Sequence, residues 1–263
     1  MLRYNKFIKE NIENKYNYLI DFTYLADNCN EEKIKKICET AKENKFFAIV
    51  IPSDFVSYAV GYLNDPEIKV CTAIDFPKGE SSTEEKLKIT RNTIAEGATE
   101  INVVMNIKKL QKTTELEDKL AVLSDKKEED KEQAIDYKEQ ITDNIEELTK
   151  DIRLLVSEAH RNGIVIKVVV ESGVLTISQL KRACKIVEDA GADFVMTSTG
   201  KNGVGAIGQL DKVKLMRTFL PDYIQICASG GIRTIEDIQS FFPYVDRIAT
   251  SVVPKSIKYT AKT

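Results

Sequence analysis

Apolar residues gather along the chain in eight short runs, YLIDF, FFAIVI, IKVCTAI, EINVVMN, IVIKVVV, DFVMTS, YIQICAS and DRIATS. Several are apolar almost throughout, the pattern of a strand whose two faces are both covered. Between them the apolar positions switch to helical spacing, as over residues 31–44, 83–97, 178–190, 209–219 and 234–241. Regular alternation of eight strands with helices predicts an α/β fold, a closed (β/α)8 TIM barrel built as one domain over 1–263. An open, doubly wound sheet is the competing arrangement. It is weakened by the lack of a Gly-x-Gly-x-x-Gly turn after the first strand.

One segment breaks the rhythm. Residues 108–150 occupy the place of a short loop after the fourth strand, which predicts a helical insertion there. Leu116, Leu120 and Leu123 recur at helical spacing, the charged run SDKKEEDKEQ follows, and Ile141, Ile145, Leu148, Ile152, Leu155, Val156 and Ala159 then trace a single stripe. Asn162-Gly163 is a suitable stop. The expectation is a short helix, an exposed turn and a long helix whose last part covers the barrel. Such an insertion serves either as a solvated elaboration or as an arm that docks a protein partner.

Composition narrows the function classes. At 263 residues the chain can bury one large core, and no Gly/Ser/Pro-rich seam divides it. A net charge of −3 with both signs interspersed gives no reason to expect nucleic acid or an anionic membrane as partner, and favours a small ligand. The first residues lack the apolar segment of a secretory signal, so the expected location is cytoplasmic. The five cysteines, Cys29, Cys38, Cys71, Cys184 and Cys227, are scattered without a Cys-x-x-Cys pair. No metal, disulfide framework or cofactor is therefore expected. The single histidine, His160, falls on a helical stretch and reads as an ordinary helix residue.

Two loops are suited to an oxyanion. TSTGKNG brings together Gly200, Gly203, two hydroxyl side chains and the ammonium of Lys201. ASGGIRT places Gly230-Gly231 between a strand and a helix, with Thr234 as N-cap and Asp237 three residues on. A Gly-Gly turn lets backbone approach a phosphate, the helix N-terminus offers N–H groups, and Arg233 adds a guanidinium. Loops after the late strands of a TIM barrel commonly hold phosphate.

In order, the motifs LIDFTYL, KVCTAIDFPKGESSTEEK, EGATEINVVMNI, IKVVVESGVL, AGADFVMTSTGK and ASGGIRTIED make the chain resemble the deoxyribose-phosphate aldolases over nearly its whole length. These are class I aldolases, which cleave 2-deoxyribose 5-phosphate to glyceraldehyde 3-phosphate and acetaldehyde through a Schiff base. The resemblance implies a phosphate site at Gly200, Lys201, Gly230, Gly231, Arg233 and Ser251. Family members are often dimers, so a homodimer is among the expected assemblies. The catalytic positions are a different matter. Met196 stands where the family has its Schiff-base lysine, Cys227 where it has the second lysine, and Asn102 where it has the relay aspartate. Phe22 replaces a histidine, Ala26 a lysine, Ala249 a glycine and Val252 a serine, and the tail ends too differently for Tyr259 to be matched.

Only a neutral amine forms the iminium of this mechanism, so a thioether at 196 implies an impaired or inactive aldolase that keeps a place for a phosphorylated small molecule or phosphate. A displaced nucleophile is the alternative. Lys167, with Val169 and Glu171 on its own strand face, would present an ammonium and a carboxylate to the lumen if that face is inward. Cys227 has no histidine in the matching motifs to lower its pKa.

Overall fold

A computed structural model describes residues 15–123 and 131–255 of the chain. The charged run at 124–130 and Tyr259 lie outside the described residues. Eight parallel strands close into a barrel in the order in which they occur along the chain. They are β1 (Ile20–Thr23), β2 (Ala48–Ile51), β3 (Lys69–Ile74), β4 (Glu100–Val104), β5 (Val165–Val169), β6 (Phe194–Met196), β7 (Gln225–Ser229) and β8 (Arg247–Thr250). All eight runs of the hydrophobic pattern contain a strand, most of them shortened at one end or both, and β1 extends one residue past its run to Thr23.

The helices that cover the barrel are α1 (Glu31–Asn44), α2 (Val56–Leu63), α3 (Thr83–Ala95), α4 (Ile107–Leu123), α5 (Lys131–Arg161), α6 (Ile177–Ala190), α7 (Leu210–Phe219) and α8 (Ile235–Phe241). Local chemistry sets their starts. Asn30, Ser82, Thr176 and Thr234 are N-caps whose side chains accept an N–H of the first turn. At the last three, the residue three positions on closes a capping box. The main core lies between the barrel wall and the helices, where Ile34, Leu110, Leu155, Leu180, Val213 and Ile238 are fully buried against strand residues such as Ile49, Ile101, Ile166 and Ile226.

The insertion after β4 is an antiparallel helical hairpin, α4 against α5, and its boundaries differ from the expected ones. Helix α4 is 17 residues long and begins on the barrel, burying Ile107, Leu110, Thr113 and Leu116. Helix α5 is 31 residues long and buries Leu148, Ile152, Leu155, Val156 and Ala159. Ile141 and Ile145, at the top of the expected stripe, are only half-buried, and of the two Ile145 still packs against the main core. The projecting end exposes Val122 and Ile135. Among the described residues no helix is long and apolar enough to cross a membrane. His160, in the last turn of α5, meets the Asp193 carboxylate at 3.0 Å on the outer surface, away from the barrel lumen.

Candidate active site

The lumen is divided into layers by the two-residue period of the strands. The deeper layer is charged. The carboxylate of Asp21 from β1 lies 3.0 Å from the Lys167 ammonium from β5. Glu100 from β4 also contacts Lys167, and Arg247 from β8 contacts Asp21 directly and Glu100 at 3.4 Å. All four side chains are buried, and their formal charges cancel. The Phe47 ring lies 3.5 Å from the Arg247 guanidinium carbon, and the Phe194 ring 5.5 Å from Lys167 Nζ. Burial works against the Lys167 ammonium, but the negative charges of Asp21 and Glu100 outweigh it and hold its pKa above the ordinary lysine range.

Beside and above these charges the lumen turns apolar. Val104, Val169, Phe194, Met196, Cys227 and Ala249 pack together, each from an inward position of its strand, with Phe194 in register with Lys167 and Cys227 with Arg247. Met196 is in register with Val169 on β5, two residues beyond Lys167 and therefore roughly 7 Å nearer the C-terminal mouth. Asn102 is buried beside this cluster, and its side-chain oxygen accepts a bond from the Cys71 thiol at 3.3 Å.

The mouth is a cavity of about 420 Å³ whose lining includes Asn102, Met196, Gly200, Lys201, Gly230, Gly231, Arg233 and Ser251. The structure therefore brings together every residue expected at the phosphate site and two of the three, Asn102 and Met196, that the resemblance assigns to catalytic positions. Cys227 and Lys167 do not line the cavity; both are fully buried beneath it.

Two loops form the cationic side of the cavity, and their backbones touch. Ala206 N–H donates to the Ser229 carbonyl at 2.9 Å and Ile207 N–H to that of Gly230 at 3.2 Å. A Cβ on Gly205 would lie 2.4 Å from the Gly230 carbonyl, so only glycine permits this approach. Gly230 and Gly231 have φ of 94° and 81°, which likewise favours glycine. The Lys201 and Arg233 side chains are exposed at the rim.

Two expectations about this region are corrected. The helix N-terminus after Gly231 does not hold its first amides open, since the Asp237 carboxylate accepts from both Arg233 N–H and Thr234 N–H at 2.9 Å. The capping box that starts α8 thus competes with a ligand for the same donors. Nor does Glu171 share the lumen with Lys167. Residue 171 leaves the strand in a left-handed conformation, φ 49°, and its buried carboxylate accepts from Thr199 N–H at 2.6 Å and Ser198 Oγ at 3.2 Å. It holds up the TSTGK loop from behind, and the partners of Lys167 are Asp21, Glu100 and Arg247 instead.

No family model matches the chain. Individual relatives do. A deoxyribose-phosphate aldolase of Ureaplasma parvum is 35% identical over 245 residues, covering 90% of this chain and 95% of its own. Deoxyribose-phosphate aldolase 1 of Oceanobacillus iheyensis is 34% identical over 221 residues, covering 84% and 85%. The chain belongs to the deoxyribose-phosphate aldolase family.

Solved structures agree with the membership. One from Coccidioides immitis, assigned as a deoxyribose-phosphate aldolase, superposes with a TM-score of 0.75 at 29% identity, covering 92% of this chain and 85% of that one. The deoxyribose phosphate aldolase of Aeropyrum pernix, whose structure is tetrameric, matches in fold with a TM-score of 0.71 at 23% identity, covering 91% and 88%. In this member of the family, the motif-based reading did not find the Asp21–Glu100–Arg247 partners of Lys167. Their signal was present as charged residues inside the apolar runs LIDF, EINVV and DRIAT, where an ionised side chain in a doubly covered strand must meet a counter-charge.

The cysteines supply a direct check on access. Burial pushes the Cys38 thiol up to about 11 and those of Cys71 and Cys184 up to about 12, and raises Cys227 as well. Cys29 alone among the five is partly exposed. One thiol is expected to react with an aromatic disulfide reagent in the native protein near pH 8, and all five after denaturation. Rapid native labelling of Cys227, located by peptide mass, would show that the floor of the cavity opens to solvent.

Proposed function

We propose that this member of the family binds a phosphorylated small molecule at the barrel mouth without forming a Schiff base with it. The reading rests on the thioether of Met196, which lies in the cavity floor among Val104, Val169 and Ala249 where the family's reactive amine is expected. A thioether neither adds to a carbonyl nor carries a proton. Asn102, beside it, does not titrate. Lys167 is a poor substitute, because it lies one layer deeper and is held as an ammonium between two carboxylates. Cys227 is fully buried, and burial disfavours its thiolate.

Phosphate is the group that the mouth suits. Lys201 and Arg233 have no ion-pair partner among the described residues, and the Gly230-Gly231 backbone lies open beside them on the lining. Two cations facing one small cavity favour a dianion.

The test is to incubate the protein with 2-deoxyribose 5-phosphate, reduce with borohydride and measure the intact mass, with aldehyde release followed in parallel. The expected mass is that of the unmodified chain, with no aldehyde released above the protein-free rate. A trapped adduct, or turnover abolished by Lys167→Met, would establish a working enzyme with a displaced nucleophile.

A further inference from the structure

We infer that the occupant of the cavity is a short-chain phosphate monoester whose body is largely apolar, carrying at most one hydrogen-bond acceptor, rather than a sugar phosphate. This inference rests on the phosphate reading above and concerns what lies beyond the phosphate.

A polyhydroxylated body needs a donor or an acceptor for each hydroxyl that it brings out of water, and an unmatched one costs affinity. The cavity wall contains hydroxyl side chains, but most of their protons are already committed to the protein. Thr23 Oγ1 donates to the Asp21 carbonyl at 3.1 Å, and Thr250 Oγ1 to that of Ile232 at 2.6 Å. Ser229 Oγ donates to the Ser198 carbonyl, and Ser198 Oγ to Glu171 and to the Val204 carbonyl at 3.2 and 3.3 Å.

No carboxylate compensates for them. Asp21, Glu100 and Glu171 are all buried behind the wall, and none lines the cavity. Apart from these hydroxyls and the two loops, the lining includes Val50, Ala73, Phe76, Val169, Met196 and Ala249, together with one amide, Asn102. The oxygen of that amide accepts from the Cys71 thiol, which leaves the two N–H bonds of its NH2 group as the amide's donors for a ligand. The mouth is cationic, and much of the remaining wall is apolar with one amide to donate. A ligand that matches has a phosphate at one end, an alkyl or similarly apolar body, and one carbonyl, ether or hydroxyl oxygen to meet Asn102.

Calorimetric titration with inorganic phosphate, 2-deoxyribose 5-phosphate and n-pentyl phosphate tests this, because the two esters share carbon number and phosphate and differ in oxygens. The pentyl ester is expected to bind about tenfold tighter than the sugar phosphate, or more. Arg233→Ala should weaken both, and Met196→Gln should bring their ratio toward one. If the sugar phosphate binds as tightly as the pentyl ester, or if Met196→Gln leaves their ratio unchanged, the inference about the body is overturned while phosphate recognition stands. If none of the three ligands binds, the phosphate reading itself falls, and this inference with it.

Discussion

Asp21→Ala is expected to lower the stability of the barrel by about 3–5 kcal/mol, among the largest effects of any single substitution in this chain. The Asp21 side chain is fully buried and receives both Lys167, at 3.0 Å, and Arg247. Removing it leaves two cations facing Glu100 alone in a site closed from below by Phe47. The loss comes from stranding those charges, since an intact buried ion network is itself of small net worth compared with apolar packing. Lys167→Met should accordingly be costly alone but much less so on top of Asp21→Asn, because the pair then leaves a neutral layer in which Arg247 still meets Glu100. Denaturant midpoints for the two single variants and the double variant measure this. A loss below about 1 kcal/mol for Asp21→Ala would mean that water reaches the charged layer.

The same layer has a predictable pH signature. The Lys167 pKa is raised in the folded protein, so its contribution is fully present below the unfolded lysine value of about 10.4 and is lost as pH rises through the higher folded value. Stability between pH 6 and 9 should therefore owe no slope to Lys167, and the alkaline decline above about pH 10.4 should be shallower in Lys167→Met than in the native chain.

The barrel was legible because its signal is local and repeated. Eight apolar runs separated by helical spacing leave few other closed arrangements, and caps such as Ser82 and Thr234 mark helix starts within the sequence itself. The cavity wall was legible for a related reason, since glycines at 200, 230 and 231 and the cations Lys201 and Arg233 cluster in two short motifs that the barrel sets side by side. The support beneath it was not. Asp21, Glu100, Lys167 and Arg247 come from four strands spread over most of the chain, and only closure of the barrel brings their side chains together. Glu171 escaped for another reason. Strand alternation puts it on the face of Lys167, but the left-handed turn at that residue ends the alternation and sends the carboxylate to Ser198 and Thr199.

Met196→Lys is expected to create a borohydride-trappable adduct, and the native chain is expected to form none. Methionine and lysine have similar length, so the amine can reach the cavity floor without displacing β6. Its surroundings favour the reactive form. Val104, Val169 and Ala249 desolvate an ammonium, and the charged layer beneath is net neutral, so desolvation lowers the pKa of the new lysine toward the range in which a neutral amine is present. With 2-deoxyribose 5-phosphate or acetaldehyde, reduction should add one ligand-derived mass per chain, placed by peptide mapping at position 196. Carbon–carbon cleavage should remain slow, because Asn102 cannot carry the proton. Adding Asn102→Asp should raise the cleavage rate by about 10²–10⁴-fold, the usual contribution of a positioned acid–base group. An adduct in the single variant with little turnover, followed by turnover in the double variant, would show that the cavity can still orient a bound sugar phosphate for the family's chemistry and lacks only the groups that perform it. A folded Met196→Lys variant that binds phosphate but forms no adduct would place the ligand's carbonyl out of reach of the floor. It would also count against a retained family orientation.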